Sequence, residues 1–344
     1  MHCTAAKGKG GLLNRRLLLT AAVSLTTVIC SGVLAQSGSF REAAERINTT
    51  IRANHFRPAE LESDGYRQIE KDVIALGEKA ASAEELISGF NAIWRKGPFS
   101  HVALQKAQES AADRYARLDT MTGGDGAVAL AWKESVAILT VNTMSGVDTI
   151  DAIDAAYAEI VARKARKLVI DLRRNGGGAF AVVPLVGHLI DQPIDAGVFV
   201  SGLWYAHHRE PPGPRDFPSA KPWRGRSVRA FQADVLTRAL TSYRIDPVQP
   251  VFHGPVVVLT SARSISAAEI AADALKASGR AKIIGEKTPG VVLSSKVFDI
   301  PGGFHLRVPM ADYYSIKNGR LEGVGVSPDV PASAAEALEV ALGW

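Results

Sequence analysis

Residues 256–275 read VVVLTSARSISAAEIAADAL, an apolar run followed by a turn and then by helix-forming residues. The run VVVLT predicts a buried strand, and AAEIAADAL predicts a helix directly after the turn. Three serines, Ser261, Ser264 and Ser266, occupy the turn. A serine before a helix usually caps it, but a serine raised on a strand-to-helix turn can also act as a nucleophile beside the helix dipole. The stretch leaves both roles open, and it contains no histidine or lysine that could serve as a base.

A second buried strand, in KLVIDLRRNGGG at 167–178, ends in charged residues and three glycines. Glycines permit a sharp turn and can leave backbone amides free to bind an anion, as phosphate sites and oxyanion holes both require. The chain has neither a GxxxxGK motif nor a GxGxxG motif, so we favour an oxyanion hole. Strand patterns alternate with helical patterns over residues 128–285. This alternation predicts an α/β fold with a largely parallel sheet covered by helices.

The first 35 residues differ from the rest of the chain. Four basic residues precede an apolar run that ends in small residues at Ala35, which is the pattern of an export signal cleaved after Ala35. A membrane anchor is the alternative, although serine and threonine interrupt the run. Removing the segment lowers the net charge from +5 to +1, which argues against a nucleic-acid partner. Both cysteines, Cys3 and Cys30, lie in the signal, so the mature chain has no disulfide, which suits a periplasmic or secreted protein.

The remaining chain divides into two predicted parts. Residues 36–125 have helical spacing of their apolar residues and form a predicted N-terminal helical region, whereas residues 126–344 form a predicted catalytic domain. A glycine-proline pair ends the third helical pattern and leaves Ser100 and His101 at a helix-to-loop corner. The segment 205–250 is rich in proline and arginine, which predicts a surface insertion of the kind that often covers an active site.

Four blocks of sequence carry a resemblance to a known family. In chain order they are KLVIDLRRNGGG, VVVLTSARSISAAEIAADAL, GRAKIIGEKTPG and GVGVSPDV. Their order and separation resemble the catalytic domain of the tail-specific, or C-terminal processing, serine proteases, whose wider family includes the tricorn protease core and the interphotoreceptor retinoid-binding protein. The resemblance covers about residues 128–331. It implies a crotonase-like catalytic domain of ββα units, joined to the N-terminal helical region and acting on a peptide or protein substrate.

The resemblance also implies the position of the nucleophile. In that family the nucleophile is the middle serine of a Ser-Ala-Ser-Ala-Ser-Glu-like block, which falls on Ser266 in SISAAE. The amide of Ala267 and one amide from Gly177 or Gly178 are then expected to form the oxyanion hole.

The general base departs from the commoner form of the family. Ser-Lys members carry a lysine after Gly-Glu-x-Thr-x-Gly, but here GEKTPG is followed by apolar residues from Val291 onward. The tricorn-like branch instead takes a histidine from an upstream Ser-His pair, with a glutamate near the C-terminal Pro-Asp block. Ser100, His101 and Glu322 match that set. The resemblance therefore implies His101 as the base, with Ser100 and Glu322 orienting its imidazole.

The expected function is that of an exported serine peptidase. No pair of histidines has metal-site spacing, so we expect neither a metal nor another cofactor. The stretch between His101 and the strand at Val136 is too short for the PDZ domain that Ser-Lys relatives carry. Two alternatives stay open: a non-catalytic protein that binds apolar ligands on the same fold, and a hydrolase of small esters or amides. The sequence gives no indication of the oligomeric state.

Overall fold

The structure, a computed structural model, describes residues 27–223 and 227–344. Residues 1–26, which hold most of the predicted export signal, lie outside the described residues. Within the described part of the chain, no helix combines the length and the apolar character needed to cross a membrane.

Helices form most of the N-terminal region and cover both faces of the first sheet. In chain order the α-helices are α1 (Thr27–Asn54), α2 (Asp64–Lys79), α3 (Ala83–Trp94), α4 (Ala111–Arg117), α5 (Val147–Ala162), α6 (Val182–Gly187), α7 (Gly202–Tyr205), α8 (Val228–Thr237), α9 (Ala267–Ala277) and α10 (Ala337–Gly343). Ser82 caps α3 by accepting a hydrogen bond from the amide of Glu85 at 3.1 Å. The helical N-terminal region predicted from the sequence is therefore confirmed.

The strands form two sheets. In chain order they are β1 (Ala103–Lys106), β2 (Val128–Lys133), β3 (Val136–Val141), β4 (Lys167–Asp171), β5 (Ile194–Ser201), β6 (Lys221–Trp223), β7 (Leu240–Ile245), β8 (Val256–Thr260), β9 (Lys282–Gly285), β10 (Ser294–Ile300), β11 (Phe304–Ser315), β12 (Gly319–Arg320) and β13 (Val330–Pro331).

The first sheet has the order β13-β9-β8-β4-β3-β2. Its strands run parallel except for the β2–β3 hairpin, so the predicted α/β fold with a largely parallel sheet is confirmed. Strands β4 and β8 are neighbours, and Asp171 pairs with Leu259 close to the point where both strands end. The turns that follow these two strands therefore leave the sheet side by side.

The second sheet is largely antiparallel, and the sequence patterns do not predict it. Its order is β1-β11-β5-β7-β6, with β10 and β12 also paired to β11. The N-terminal region contributes β1, and the segment 205–250 contributes β6 and β7. Because Tyr243 and Ile245 of β7 are buried in the main core, the segment 205–250 is built into the fold and is not only a surface insertion.

Apolar side chains arrange the elements in layers. The main core lies between the two sheets and includes α5, α6 and α9. On the other face of the first sheet, Val169 and Leu259 pack with α10. On the other face of the second sheet, helices α1 to α3 pack against Leu306 and Val308 of β11. The N-terminal region is thus packed against the sheet that carries β1, which brings the segment 95–102 close to the main core.

Candidate active site

The serine-rich turn after β8 is fastened to the end of β4. Ser264 Oγ donates a hydrogen bond to the carbonyl of Leu172 at 2.8 Å and accepts one from the amide of Ser261 at 2.9 Å. Ser261 Oγ donates to the carbonyl of Arg173 at 2.6 Å. These two serines therefore hold the turn in place, which leaves Ser266 as the serine at the start of α9.

Ser266 has a strained backbone. Its φ is +58° and its ψ is −119°, a conformation that residues with a side chain rarely adopt. Four residues other than glycine have a positive φ in the described chain, and Glu134 and Lys164 among them lie at a hairpin turn and just after a helix end. The other two are Ser266 and His101, whose φ is +62°. Strain of this kind persists only where the surrounding structure imposes it, and it concentrates at functional sites.

The glycine turn after β4 is organised by Asn175, which is fully buried. Its side chain accepts a hydrogen bond from the amide of Gly177 at 2.9 Å and donates one to the carbonyl of Val141 at 2.9 Å. Its carbonyl accepts from the amide of Ile265, next to Ser266, at 3.1 Å. Asn175 therefore joins the ends of β3, β4 and the serine turn, a role that the sequence analysis did not assign to it.

Because the Asn175 side chain accepts a hydrogen bond from the amide of Gly177, that amide is not free to bind an oxyanion. The amides of Gly178 and Ala267 have no acceptor among the hydrogen bonds of the described residues. For Ala267 this follows from its position, since the first amides of a helix have no partner within the helix. A β-carbon added at Gly177 would lie 2.8 Å from Ser266 Cβ, so the glycine turn and the serine turn are in direct contact.

His101 lies just before β1, where the N-terminal region joins the second sheet. Its Nδ1 forms a hydrogen bond with Ser100 Oγ at 2.7 Å, while its Nε2 has no hydrogen-bond partner in the described part of the chain. Burial, with a smaller contribution from the nearby charge of Arg307, lowers the pKa of His101 to about 4. The imidazole is therefore neutral at neutral pH, the state in which a histidine can accept a proton.

Glu322 is buried and holds the segment of His101 from a second side. One carboxylate oxygen accepts a hydrogen bond from the amide of Ser100 at 3.2 Å, and the other accepts from the amide of Val292 at 2.9 Å. The sequence analysis expected Glu322 to orient the imidazole. Both of its hydrogen bonds are to backbone amides, one of them beside His101, so any effect on the imidazole is transmitted through Ser100.

Glu269 links Ser266 to the segment that follows GEKTPG. It is fully buried and accepts four hydrogen bonds. The donors are the amide of Ser266 at 3.0 Å, the hydroxyl of Thr288 at 2.6 Å, and the amides of Gly290 and Val291, both at 2.7 Å. The consecutive amides of Val291 and Val292 are thus bound by two different buried glutamates, one next to Ser266 and one next to Ser100.

A single cavity of about 670 Å³ contains the predicted base and nucleophile. Its lining includes His101, Gly177, Gly178, Ser266 and Ala267. No hydrogen bond joins His101 to Ser266 among the described residues, although both side chains line the same space.

Aromatic rings line much of the same cavity, together with residues of α8. These rings are Phe180, Phe199, Phe231 and Tyr243, and the ring centroids of Phe199 and Phe231 are 4.9 Å apart. Such a lining favours a substrate with an apolar group. Helix α8 belongs to the segment 205–250, which therefore borders the cavity.

Comparison with known proteins identifies the family. The sequence model of Peptidase family S41 matches residues 135–332, more than half of the chain. A chloroplastic C-terminal processing peptidase of Tetradesmus obliquus is 31% identical over 183 residues, which are 53% of this chain and 32% of that protein. A carboxyl-terminal-processing protease of a Picosynechococcus strain is 38% identical over 81 residues, which are 24% of this chain and 20% of that protein. The chain thus spans a third or less of the length of these relatives.

Solved structures agree on the fold. The photosystem II D1 C-terminal processing protease superimposes with a TM-score of 0.53 at 15% identity, and the match covers 89% of this chain and 98% of that chain. At this identity the likeness shows the fold alone, but it extends over the N-terminal region as well as the segment matched by the family. The resemblance on which the sequence analysis relied is therefore confirmed, and the chain belongs to peptidase family S41.

Proposed function

We propose that this protein is a serine peptidase in which Ser266 attacks the carbonyl carbon of a peptide bond. The observation that carries the proposal is the shared cavity: a strained serine, a neutral histidine and two unbonded backbone amides all line it. Each of these features alone has a structural explanation. Their coincidence in one space matches the requirements of acyl transfer, which are a nucleophile, a base and donors for the developing oxyanion.

In the proposed mechanism His101 Nε2 removes the proton of Ser266 Oγ. This requires the other ring nitrogen to carry the second proton, and Ser100 Oγ is in position to accept that proton's hydrogen bond at 2.7 Å. The tetrahedral intermediate places its oxyanion at the amides of Ala267 and Gly178. His101 then gives the proton to the leaving amine, and a water molecule deprotonated by the same imidazole hydrolyses the acyl-enzyme.

A peptide is the proposed substrate because of the family and of the cavity. The relatives named above are processing proteases or peptidases, and the aromatic lining suits an apolar side chain near the cleaved bond. Export to the periplasm or the exterior is proposed from the sequence of the first 35 residues. The crotonase-like assignment of the catalytic domain likewise stays a prediction.

The test is covalent labelling of the full chain with a fluorophosphonate probe, which reacts with activated serines. We expect labelling of the wild type, none of Ser266→Ala, and a rate at least about 100-fold lower in His101→Ala, since loss of a general base removes a factor of this size. His207→Ala is the matched control, because His207 is exposed and is not among the residues lining the cavity. A wild type that stays unlabelled while a control hydrolase reacts would favour binding of apolar ligands over catalysis.

A further inference from the structure

Two arginines line the cavity beside the proposed catalytic residues. Arg307 lies on β11 and Arg114 on α4, and both side chains contribute to the lining that also contains His101 and Ser266. Neither guanidinium has a hydrogen-bond acceptor or a carboxylate partner in the described part of the chain.

This lack of partners is unusual for an arginine that is only partly exposed. Arg280 donates to the carbonyls of Leu189, Phe252 and Gly254, and Arg173 pairs with Asp171. Arg307 is half-buried and borders the cavity, and burial together with the charge of Arg114 lowers the pKa of its guanidinium. Its donors are therefore open to a ligand that enters the cavity.

The cavity offers these arginines no free carboxylate. Asp119 is the one acidic residue among the described residues that line it. Its carboxylate accepts hydrogen bonds from Ser227 Oγ at 2.8 Å and from the amides of Val228 and Arg229 at the start of α8. It therefore binds the start of α8, and among the described residues no carboxylate lies within ion-pair distance of either arginine.

The arginines are close to the reacting groups. Arg307 on β11 pairs with Ala103 on β1, and Ala103 is two residues after His101 in the chain. Arg307 and His101 line the same cavity, and the charge of Arg307 adds to the effect of burial in lowering the pKa of His101. An anion bound at Arg307 would thus lie next to the base and within the space that a bound peptide occupies.

We propose that Arg307 and Arg114 form a subsite that binds a carboxylate group of the peptide substrate near the cleaved bond. The planar guanidinium presents paired donors that match the two oxygens of a carboxylate. The carboxylate is either the free C-terminus of the peptide or the side chain of an aspartate or glutamate in it. This inference rests on the proposed peptidase function and adds to it a charge requirement in the substrate.

The test uses the full chain and a library of short peptides with randomised sequences. The library is prepared once with free C-terminal carboxylates and once as C-terminal amides, and cleavage positions and rates are read by mass spectrometry. The variants are Arg307→Gln, Arg114→Gln and Arg307→Lys. Arg166→Gln is the matched control, because Arg166 is exposed and precedes β4 at the end of the strand opposite to the site.

We expect the wild type to prefer peptides with a carboxylate at a fixed distance from the cleaved bond. Amidation removes the preference if the chain end is bound, whereas a preference for acidic side chains survives amidation. Arg307→Gln and Arg114→Gln should each lower kcat/KM for the preferred peptides about 10- to 100-fold, the effect of losing a charged hydrogen bond, and should leave neutral peptides less affected. Arg307→Lys should retain more of the wild-type kcat/KM than Arg307→Gln, because lysine keeps the positive charge but lacks the paired donors of the guanidinium.

Fluorophosphonate labelling separates the two proposals. If the enzyme is labelled but cleaves carboxylate and neutral peptides equally, cleaves neither, or keeps its preference in both glutamine variants, the subsite is refuted and the serine hydrolase chemistry stands. If the wild type is not labelled, the proposed function fails and the subsite fails with it.

Discussion

Replacing Glu269 by glutamine is expected to lower the free energy of unfolding by about 2–4 kcal/mol and to slow the reaction of Ser266. Each carboxylate oxygen of Glu269 accepts from two donors: one receives the Thr288 hydroxyl and the Gly290 amide, the other the Ser266 and Val291 amides. A glutamine side chain has one oxygen and one amide nitrogen. Whichever way it is oriented, its nitrogen faces two donors that lose their acceptor.

The magnitude follows from those two lost contacts. Hydrogen bonds to a charged group contribute about 1.5–3 kcal/mol each, so losing two removes about 3–6 kcal/mol. Part of this is offset because glutamine avoids burying a charge, an effect that already raises the pKa of Glu269. If Thr288 reverses its hydrogen bond, its hydroxyl oxygen accepts from the glutamine nitrogen as well as from the amide of Val326 at 2.7 Å, and the expected loss is then at the lower end of the range, about 2 kcal/mol.

The assay is urea unfolding with linear extrapolation, combined with the rate of fluorophosphonate labelling. Glu42→Gln is the control, because Glu42 is an exposed glutamate on α1. Substitutions at such surface positions change stability by less than about 0.5 kcal/mol. A Glu269→Gln protein that unfolds at the control's urea concentration, or that is labelled at the wild-type rate, would refute the role assigned to this carboxylate.

Three further changes test the site. Because the pKa of His101 is lowered from 6.5 to about 4, labelling should fall only as the pH drops through about 4, and a midpoint near 6.5 would contradict the burial of the base. Gly177→Ala should abolish labelling of Ser266 while the protein stays folded by circular dichroism. The added β-carbon would lie 2.8 Å from Ser266 Cβ, and the φ of residue 177 is +86°, which a residue with a side chain rarely adopts. Labelling of this variant at the wild-type rate would contradict the close contact between the glycine turn and Ser266. Asn175→Ala should lower the free energy of unfolding by about 2–5 kcal/mol in a urea titration, because two buried backbone groups lose their partners; a loss below about 0.5 kcal/mol would contradict the role of Asn175.

The sequence predicts the part of the site that depends on local pattern. The two buried strands end in turns, and the rule that parallel strands share an edge brings the glycine turn and Ser266 together without knowledge of the structure. Asn175 was within reach of the same reasoning, since an asparagine two residues before a glycine commonly binds that residue's amide in a turn. Without this side-chain acceptor the sequence leaves Gly177 and Gly178 as alternative oxyanion donors, and the hydrogen bond from the Gly177 amide to Asn175 favours Gly178.

The rest of the site depends on pairing between distant segments. Strand β1 has only four residues, and it joins the second sheet through a partner about two hundred positions away, as in the pair Ala103 and Arg307. Such a short strand has no periodicity that would reveal its partner. The position of Arg307 beside His101 therefore could not be predicted, although family resemblance did supply His101 itself.

The valines in the place of the expected lysine have a structural consequence of their own. The amide of Val291 binds Glu269, which also holds the amide of Ser266, and the amide of Val292 binds Glu322, which also holds the amide of Ser100. The proposed nucleophile, Ser266, follows a strand of the first sheet and the proposed base, His101, belongs to the N-terminal region, so neither element can set the position of the other through its own backbone. A segment of two residues, held at each amide by a buried carboxylate, connects them. In a Ser-Lys enzyme the segment after the GEKTPG-like block carries the base itself; here the same stretch is linked through the two glutamates to Ser266 and to Ser100, next to the proposed base.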